Sequence, residues 1–126
     1  MGRIVVMIAL ALTVHACVPS ANEMHADQAT AQALQALVWV ESADAKADAE
    51  KAILAGDFRV FVPAGRGQSV PGLAVEDGSR IRQSCGEKIL PGSTDVVRGE
   101  RHLHLLQAVH RYAEHYNRIV VKRCGF

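Results

Sequence analysis

The longest periodic segment of the chain, residues 99–122, places the strongest limit on how the chain can fold. Apolar residues recur there every three or four positions, which is typical of one face of an α-helix. The residues of this stripe are Leu103, Leu106, Val109, Ala113, Tyr116 and Val120. An amphipathic helix has to cover its apolar side with other parts of the chain. We therefore expect a long C-terminal helix that supplies most of the hydrophobic core.

Two further helices are predicted near the start of the folded part. Residues 27–40 are rich in Ala and Gln, which favours a first helix. Ser42 is a residue type that caps helix N-termini, and Gly56 is one that ends helices. A second, alanine-rich helix is therefore expected between these two residues.

A short sheet is predicted in the middle of the chain. Residues 58–62 alternate aromatic or β-branched side chains with a charge and stop at Pro63, which predicts a strand. Apolar residues between glycines over residues 79–90 favour one or two short strands rather than a helix. The expected fold class is α+β: a small single domain over residues 27–126, with the long helix covering one face of the sheet.

The first residues have the order of a signal peptide. Met1-Gly2-Arg3 supplies a positive charge, residues 4–14 form an uninterrupted apolar run, and a small residue precedes Cys17. The apolar run is about half the ~20 residues that a membrane-spanning helix needs. We therefore predict a signal peptide over residues 1–16, export of the protein, and a flexible tether over residues 17–26.

Different kinds of processing compete at Cys17. Val14-His15-Ala16-Cys17 resembles the lipobox of bacterial lipoproteins, except that His15 stands where a small residue is usual. Ordinary signal peptidase could instead cleave after Ala16 and leave a free thiol, or cleavage could occur downstream, after Ala26. The lipobox predicts a lipid anchor at Cys17 that holds the protein in the cell envelope, facing the periplasm. The other routes predict a soluble periplasmic or secreted protein.

The number of cysteines favours the lipid anchor. The chain has three cysteines, and an oxidising compartment favours an even number that can pair. Acylation of Cys17 leaves Cys85 and Cys124, which we predict to form one disulfide. That bond would close a loop of about 40 residues and stabilise the fold by about 3–4 kcal/mol.

Charge and composition limit the partners and the core. Lys and Arg number 14 and Asp and Glu number 13, so the net charge of +1 lacks the basic excess that phosphate binding uses. We therefore expect no nucleic-acid partner. Aromatic residues are only 5% of the chain, so the core is expected to hold few large side chains.

The histidines of the last helix lack the spacing of metal ligands. Ligands on one helix face lie three or four positions apart, and no two of His102, His104, His110 and His115 do so. His110 and Glu114 do have that spacing. We predict no metal site and no cofactor.

No other motif assigns a catalytic residue. Ser84-Cys85-Gly86 lacks the glycines of a nucleophile elbow, and Gly65-Arg66-Gly67 lacks the ending of a phosphate-binding loop. Asp44 and Asp48 lie one helical turn apart, where they form either an acid/base pair or part of a solvated helix face.

One set of residues is a candidate ligand-binding site. It combines the segment Pro91-Gly92-Ser93-Thr94-Asp95 with the run from Tyr112 to Arg118 in the last helix. Tyr112 and Tyr116 lie one turn apart and offer polar groups over an apolar body. The residues predicted to bind a ligand are Asp95, Tyr112, Tyr116 and Asn117. Alternatively, Tyr116 packs in the core while Asn117 and Asp95 hydrogen-bond to the backbone of the Pro-Gly loop.

These segments resemble a family of small, exported, largely uncharacterised bacterial proteins. The family pattern has an Asp-Ala-rich helix ending in Gly-Asp, a Val-Pro-Gly turn, a Pro-Gly-Ser/Thr-Asp turn and a closing Tyr-Ala-Glu-x-Tyr-Asn-Arg helix. The matching segments here are Asp44-Ala45, Asp48-Ala49, Gly56-Asp57, Val70-Pro71-Gly72, residues 91–95 and residues 112–118. The resemblance implies a single exported domain and brings no activity with it. The pattern has no fixed cysteine near Cys85, so the predicted disulfide depends on compartment and parity.

The functional prediction is a small cell-envelope lipoprotein that acts as a non-enzymatic accessory or binding module. Its expected partners are the membrane, through the lipid anchor, and an envelope protein. One alternative is a small periplasmic hydrolase-like enzyme that uses Asp95, the face formed by Tyr112 and Tyr116, and a helix histidine. Another is an inhibitor or immunity-type protein that docks by its glycine-rich loop, residues 64–69.

Overall fold

Four α-helices and two short strands make up the described part of the chain. The computed structural model describes residues 16–65, 67 and 69–126, so most of the predicted signal peptide lies outside it, as do Arg66 and Gln68 of the glycine-rich loop. The helices are α1 (Ala21–Gln35), α2 (Ala45–Leu54), α3 (Gly78–Cys85) and α4 (Glu100–Val120), and the strands are β1 (Val60–Val62) and β2 (Glu87–Ile89). Short 3-10 helices cover Val38–Ser42, Val75–Asp77 and Val121–Arg123. The predicted α+β class with a long C-terminal helix is confirmed. None of the helices described is both long and apolar enough to cross a membrane.

Helix α1 begins earlier than predicted because its first turn carries a capping box. The Ser20 side chain accepts the Glu23 N–H at 3.4 Å, while the Glu23 carboxylate accepts the Ser20 N–H at 2.7 Å. These bonds satisfy two backbone donors that a helix N-terminus otherwise leaves open. Residues 21–26, predicted to be part of a flexible tether, are therefore helical. No residue of α1 is buried.

Helix α2 is capped by Asp44 and not, as predicted, by Ser42. The Asp44 carboxylate accepts the N–H groups of Lys46 and Ala47 at 3.0 and 3.1 Å, whereas the Ser42 hydroxyl donates to the Trp39 carbonyl. The helix packs against α4 through Ala49, which is fully buried. A small side chain at this contact lets the two helices approach closely.

The prediction of strands over residues 79–90 is wrong for the first part of the segment. That part forms α3, because Ile81 and Cys85 are four residues apart and both bury the same helix face. Gly86, at φ +77°, ends the helix. Only β2 is a strand, and it pairs with β1 in parallel, with Phe61 opposite Lys88.

Helix α4 supplies much of the core, as predicted, but its buried face is rotated slightly from the predicted stripe. Leu103 is 41% exposed and Leu106 is only partly buried, whereas His102 and Leu105 are buried. The buried residues of this face recur at spacings of three and four positions along α4: His102, Leu105, Val109, Ala113, Tyr116 and Val120. The buried His102 ring accepts the Arg98 N–H through Nδ1 at 2.9 Å, which holds the segment before the helix.

The predicted disulfide between Cys85 and Cys124 is confirmed. Its Cα atoms are 5.3 Å apart, within the range that this bond spans. It joins the last residue of α3 to the residue that follows the Val121–Arg123 turn, and Cys85 packs in the core with Val60 and Ile81. Cys17 is exposed and unpaired.

Candidate functional site

The four residues predicted to bind a ligand occupy very different environments. Tyr116 is 1% exposed and Asn117 is fully buried, whereas Tyr112 is partly buried and Asp95 is exposed. Tyr112 and Tyr116 have their ring centres 6.2 Å apart and are neighbours on α4. Asp95 lies on the loop before that helix. The structure therefore does not bring the predicted set together in one place.

The Asn117 side chain makes the hydrogen bonds to β1 that a neighbouring strand would otherwise make. Its side-chain oxygen accepts the Phe61 N–H at 2.7 Å, and its side-chain nitrogen donates to the Phe61 carbonyl at 2.9 Å. These backbone groups lie on the edge of β1 that faces away from β2, since Val60 and Val62 make the bonds to the β2 side. The same nitrogen also donates to the Pro71 carbonyl at 3.1 Å. Asn117 is thus a structural clamp between α4, β1 and the Val-Pro-Gly turn.

The Val-Pro-Gly turn lies directly on α4. Gly72 has a φ of +84°, and a Cβ atom there would lie 2.7 Å from the Glu114 carbonyl oxygen. Arg118 Nε donates to the Gly72 carbonyl at 3.1 Å. The side chains of Asn117 and Arg118 therefore hold two successive carbonyls of the turn.

The turn at Pro91-Gly92 is held by Ser93 and not by Asp95. The Ser93 hydroxyl donates to the Leu90 carbonyl at 2.8 Å and accepts the Ala64 N–H at 2.7 Å. Of the predicted alternative arrangement, the packing of Tyr116 in the core is observed. The predicted hydrogen bonds to the backbone of the Pro-Gly loop are not observed. Asn117 binds a different turn, and Asp95 makes no bond to the Pro-Gly backbone.

A charged cluster that the sequence did not predict surrounds the Tyr116 hydroxyl. Lys88 Nζ lies 2.8 Å from this hydroxyl and 3.2 Å from an Asp57 oxygen, and it also sits over the Phe61 ring. The Arg59 guanidinium donates two hydrogen bonds, of 2.9 and 3.1 Å, to the Asp57 carboxylate. The only sequence signal for this cluster is the Gly56-Asp57 pair of the family-like pattern.

The cluster predicts an acid-sensitive contribution to stability. Hydrogen bonds from Arg59 and, to a lesser extent, Lys88 hold the pKa of Asp57 well below its usual value, against the opposing effect of burial. Because its pKa is lowered in the folded state, the ionised Asp57 carboxylate stabilises the fold at pH values above the ordinary pKa of about 4. This stabilisation is lost as the pH falls below that value. The free energy of unfolding, measured with urea, should therefore fall as the pH is lowered from 7 to 2. We expect this fall to be about 1 kcal/mol smaller in Asp57→Asn than in the unchanged protein. Equal losses in the two proteins would contradict this role of Asp57.

Tyr112 is engaged with α2. Its hydroxyl donates to an Asp48 oxygen at 2.9 Å, and its ring meets the Trp39 ring edge-on at 5.0 Å. Burial, together with the bond to Asp48, raises the pKa of Tyr112 well above its usual value. The phenol is therefore kept protonated and is unsuited to act as a general base near neutral pH. Asp44 and Asp48, predicted as a carboxylate pair or a solvated face, serve as the helix cap and as the acceptor for Tyr112.

Tyr112 and Asp95 line two different clefts. Tyr112 borders an open cleft of about 430 Å³ beside the start of α2, together with Arg111 and His115. Asp95 borders a second cleft of about 270 Å³, together with Thr94 and His110.

His110 and Thr94 are polar residues of the second cleft that the predicted site set missed. The contact of His110 is with Glu114. The His110 Nε2 atom lies 3.7 Å from a Glu114 oxygen, so the spacing of His110 and Glu114 was the sequence signal for this contact. Among the described residues, no group of three or more His, Cys, Asp or Glu side chains is placed to hold a metal ion. No family model, curated protein or solved structure matches the chain.

Proposed function

We propose that the protein is a small lipoprotein of the bacterial cell envelope that acts as a non-enzymatic binding or accessory module. The observation that carries this proposal is the cysteine arrangement: Cys85 pairs with Cys124, while Cys17 is exposed and unpaired. Disulfides persist in oxidising compartments outside the cytosol. An unpaired cysteine directly after a signal-peptide-like segment is then best explained as the acylated residue.

Helix α1 supports the proposed anchor by its lack of buried side chains. The helix begins at Ala21, shortly after Cys17, and its 15 residues include no buried one. At 1.5 Å per residue it is about 22 Å long. The first fully buried residue after Cys17 is Leu37. The segment next to the lipid would thus act as a helical spacer that holds the folded part away from the bilayer.

The arrangement of hydroxyls and carboxylates supports binding rather than catalysis. The Tyr116 hydroxyl is buried against Lys88, the Tyr112 hydroxyl is bonded to Asp48, and the Ser93 hydroxyl has partners for both its proton and its oxygen. The enzyme alternative needs Asp95 beside the two tyrosines, and Asp95 lines a different cleft from Tyr112. The two clefts leave room for ligands. The inhibitor alternative depends on a loop whose Arg66 and Gln68 lie outside the described residues.

Intact-mass measurement of the processed protein, extracted from the envelope of a producing bacterium, tests the proposal. We expect a chain that starts at Cys17 and carries the mass of two or three acyl groups. Reduction should add the mass of two hydrogens, because one disulfide is present. The matched variant Cys17→Ser should lose the acyl mass and keep the shift on reduction. An unmodified chain that starts elsewhere would contradict the anchor.

A further inference from the structure

The cleft beside Asp95 combines an apolar floor with a polar mouth. Leu90 and Val109 are 2% and 1% exposed and belong to the core, and Pro63 and Leu106 complete the apolar lining. Thr94, Asp95 and His110 lie at the polar side. A cleft with an apolar base and a few convergent polar groups is the usual form of a small-molecule site. Its volume of about 270 Å³ suits a ligand of only a few carbon atoms.

The polar side of this cleft favours a cation. No hydrogen bond or ion pair reaches the Asp95 carboxylate from the described residues, and no Lys or Arg among them lines the cleft. The Thr94 hydroxyl oxygen already accepts the Val96 N–H and has acceptor capacity left. Among the residues that the structure describes, no donor is therefore bonded to the Asp95 carboxylate, and the Thr94 hydroxyl can accept a further hydrogen bond.

The loop on the other side of Asp95 limits where its carboxylate can lie. A Cβ atom at Gly65 would stand 2.7 Å from an Asp95 oxygen, so the glycine backbone packs closely against the side chain. Ser93 fixes the preceding turn through its bonds to Leu90 and Ala64. These contacts hold the loop that bears the Asp95 carboxylate in place beside the core side chains at the base of the cleft.

We propose that this cleft binds a primary ammonium group carried on a short aliphatic stem. The ammonium, which has three N–H donors, would lie between the Asp95 carboxylate and the Thr94 hydroxyl, and the stem would lie against Pro63 and Leu106. The inference rests on the proposed binding function and names its ligand class. The same chemistry is offered by a free diamine and by a lysine-like side chain of a peptide.

Ligand titration of the processed protein followed by ¹⁵N–¹H NMR tests this inference. The probes are 1,5-diaminopentane for the free diamine, Nα-acetyl-lysine amide for the peptide side chain, and hexanoate as an anion of similar length. We expect the amines to shift amide signals of residues 93–95 and 106–110, and hexanoate to leave them unchanged. The tighter of the two amines identifies the source.

Asp95→Asn should weaken amine binding about tenfold, since it removes the charge and keeps the shape. Asp27→Asn is the matched control, because Asp27 is an exposed aspartate on α1 that does not line the cleft, and it should bind as the unchanged protein does. Equal binding by the two variants, equal shifts with hexanoate, or no shifts with either amine would overturn the inference. The mass measurement reports on the anchor separately, so a chain without lipid that binds amines contradicts the anchor alone.

Discussion

Replacement of Asn117 by alanine is expected to lower the free energy of unfolding by about 3–5 kcal/mol. The side chain is fully buried and makes three hydrogen bonds, to both backbone groups of Phe61 and to the Pro71 carbonyl. Alanine leaves these three buried or partly buried groups without a side-chain partner, and each group left unsatisfied away from water costs about 1–3 kcal/mol. Urea unfolding followed by circular dichroism measures the loss.

Arg118→Ala is the matched control for this variant. Arg118 is the next residue on the same helix and bonds to the same turn, at the Gly72 carbonyl, but its side chain is exposed. Water can replace its hydrogen bond, so we expect a loss below about 1 kcal/mol. Losses of similar size in the two variants would show that burial of the Asn117 clamp has no special effect.

Much of the fold could be predicted because it follows from local patterns. The periodic stripe from Val109 to Val120 fixed the last helix, and the alternation of residues 58–62 predicted β1. Helix α3 could not be predicted in this way, because it has only eight residues and its apolar face is defined by distant partners. Ile81 and Cys85 are buried against Val60 and Val62 of β1 and against Val121 beyond α4.

The candidate site was harder to predict because its contacts join residues far apart in the chain. Asn117 binds Phe61 across 56 positions, and Lys88 reaches Tyr116 across 28. Helical periodicity correctly placed Tyr112 and Tyr116 side by side, but it carries no information about which loop lies opposite each residue. For that reason the sequence could not show that Asp95 borders His110 rather than Tyr112.

The segments that resemble the exported family have structural tasks in this protein. Gly72 and Gly92 allow turns to touch helices, and Asn117 and Arg118 hold one of those turns. Because these residues hold the fold together, a sequence pattern made of them carries little information about a ligand.

The second large effect is expected for Gly92→Ala. At φ +75° any other residue is strained by about 1–2 kcal/mol, and the new Cβ would lie 2.5 Å from the Ala36 carbonyl oxygen and 2.8 Å from a Leu37 methyl. The backbone oxygen cannot move without disturbing the end of α1, and Leu37 is fully buried in the core. We expect a loss of about 3 kcal/mol or more in the free energy of unfolding, measured by urea titration.

Gly56→Ala separates backbone strain from steric clash in this experiment. Gly56 has nearly the same φ, +74°, but no atom lies within 4 Å of the position that its Cβ would take. The strain is therefore shared by the two variants, and only Gly92→Ala adds the clash with Ala36 and Leu37. We expect Gly56→Ala to lose about 1 kcal/mol. Equal losses would mean that the turn at Gly92 does not press on the end of α1, whereas a difference of about 2 kcal/mol measures that contact directly.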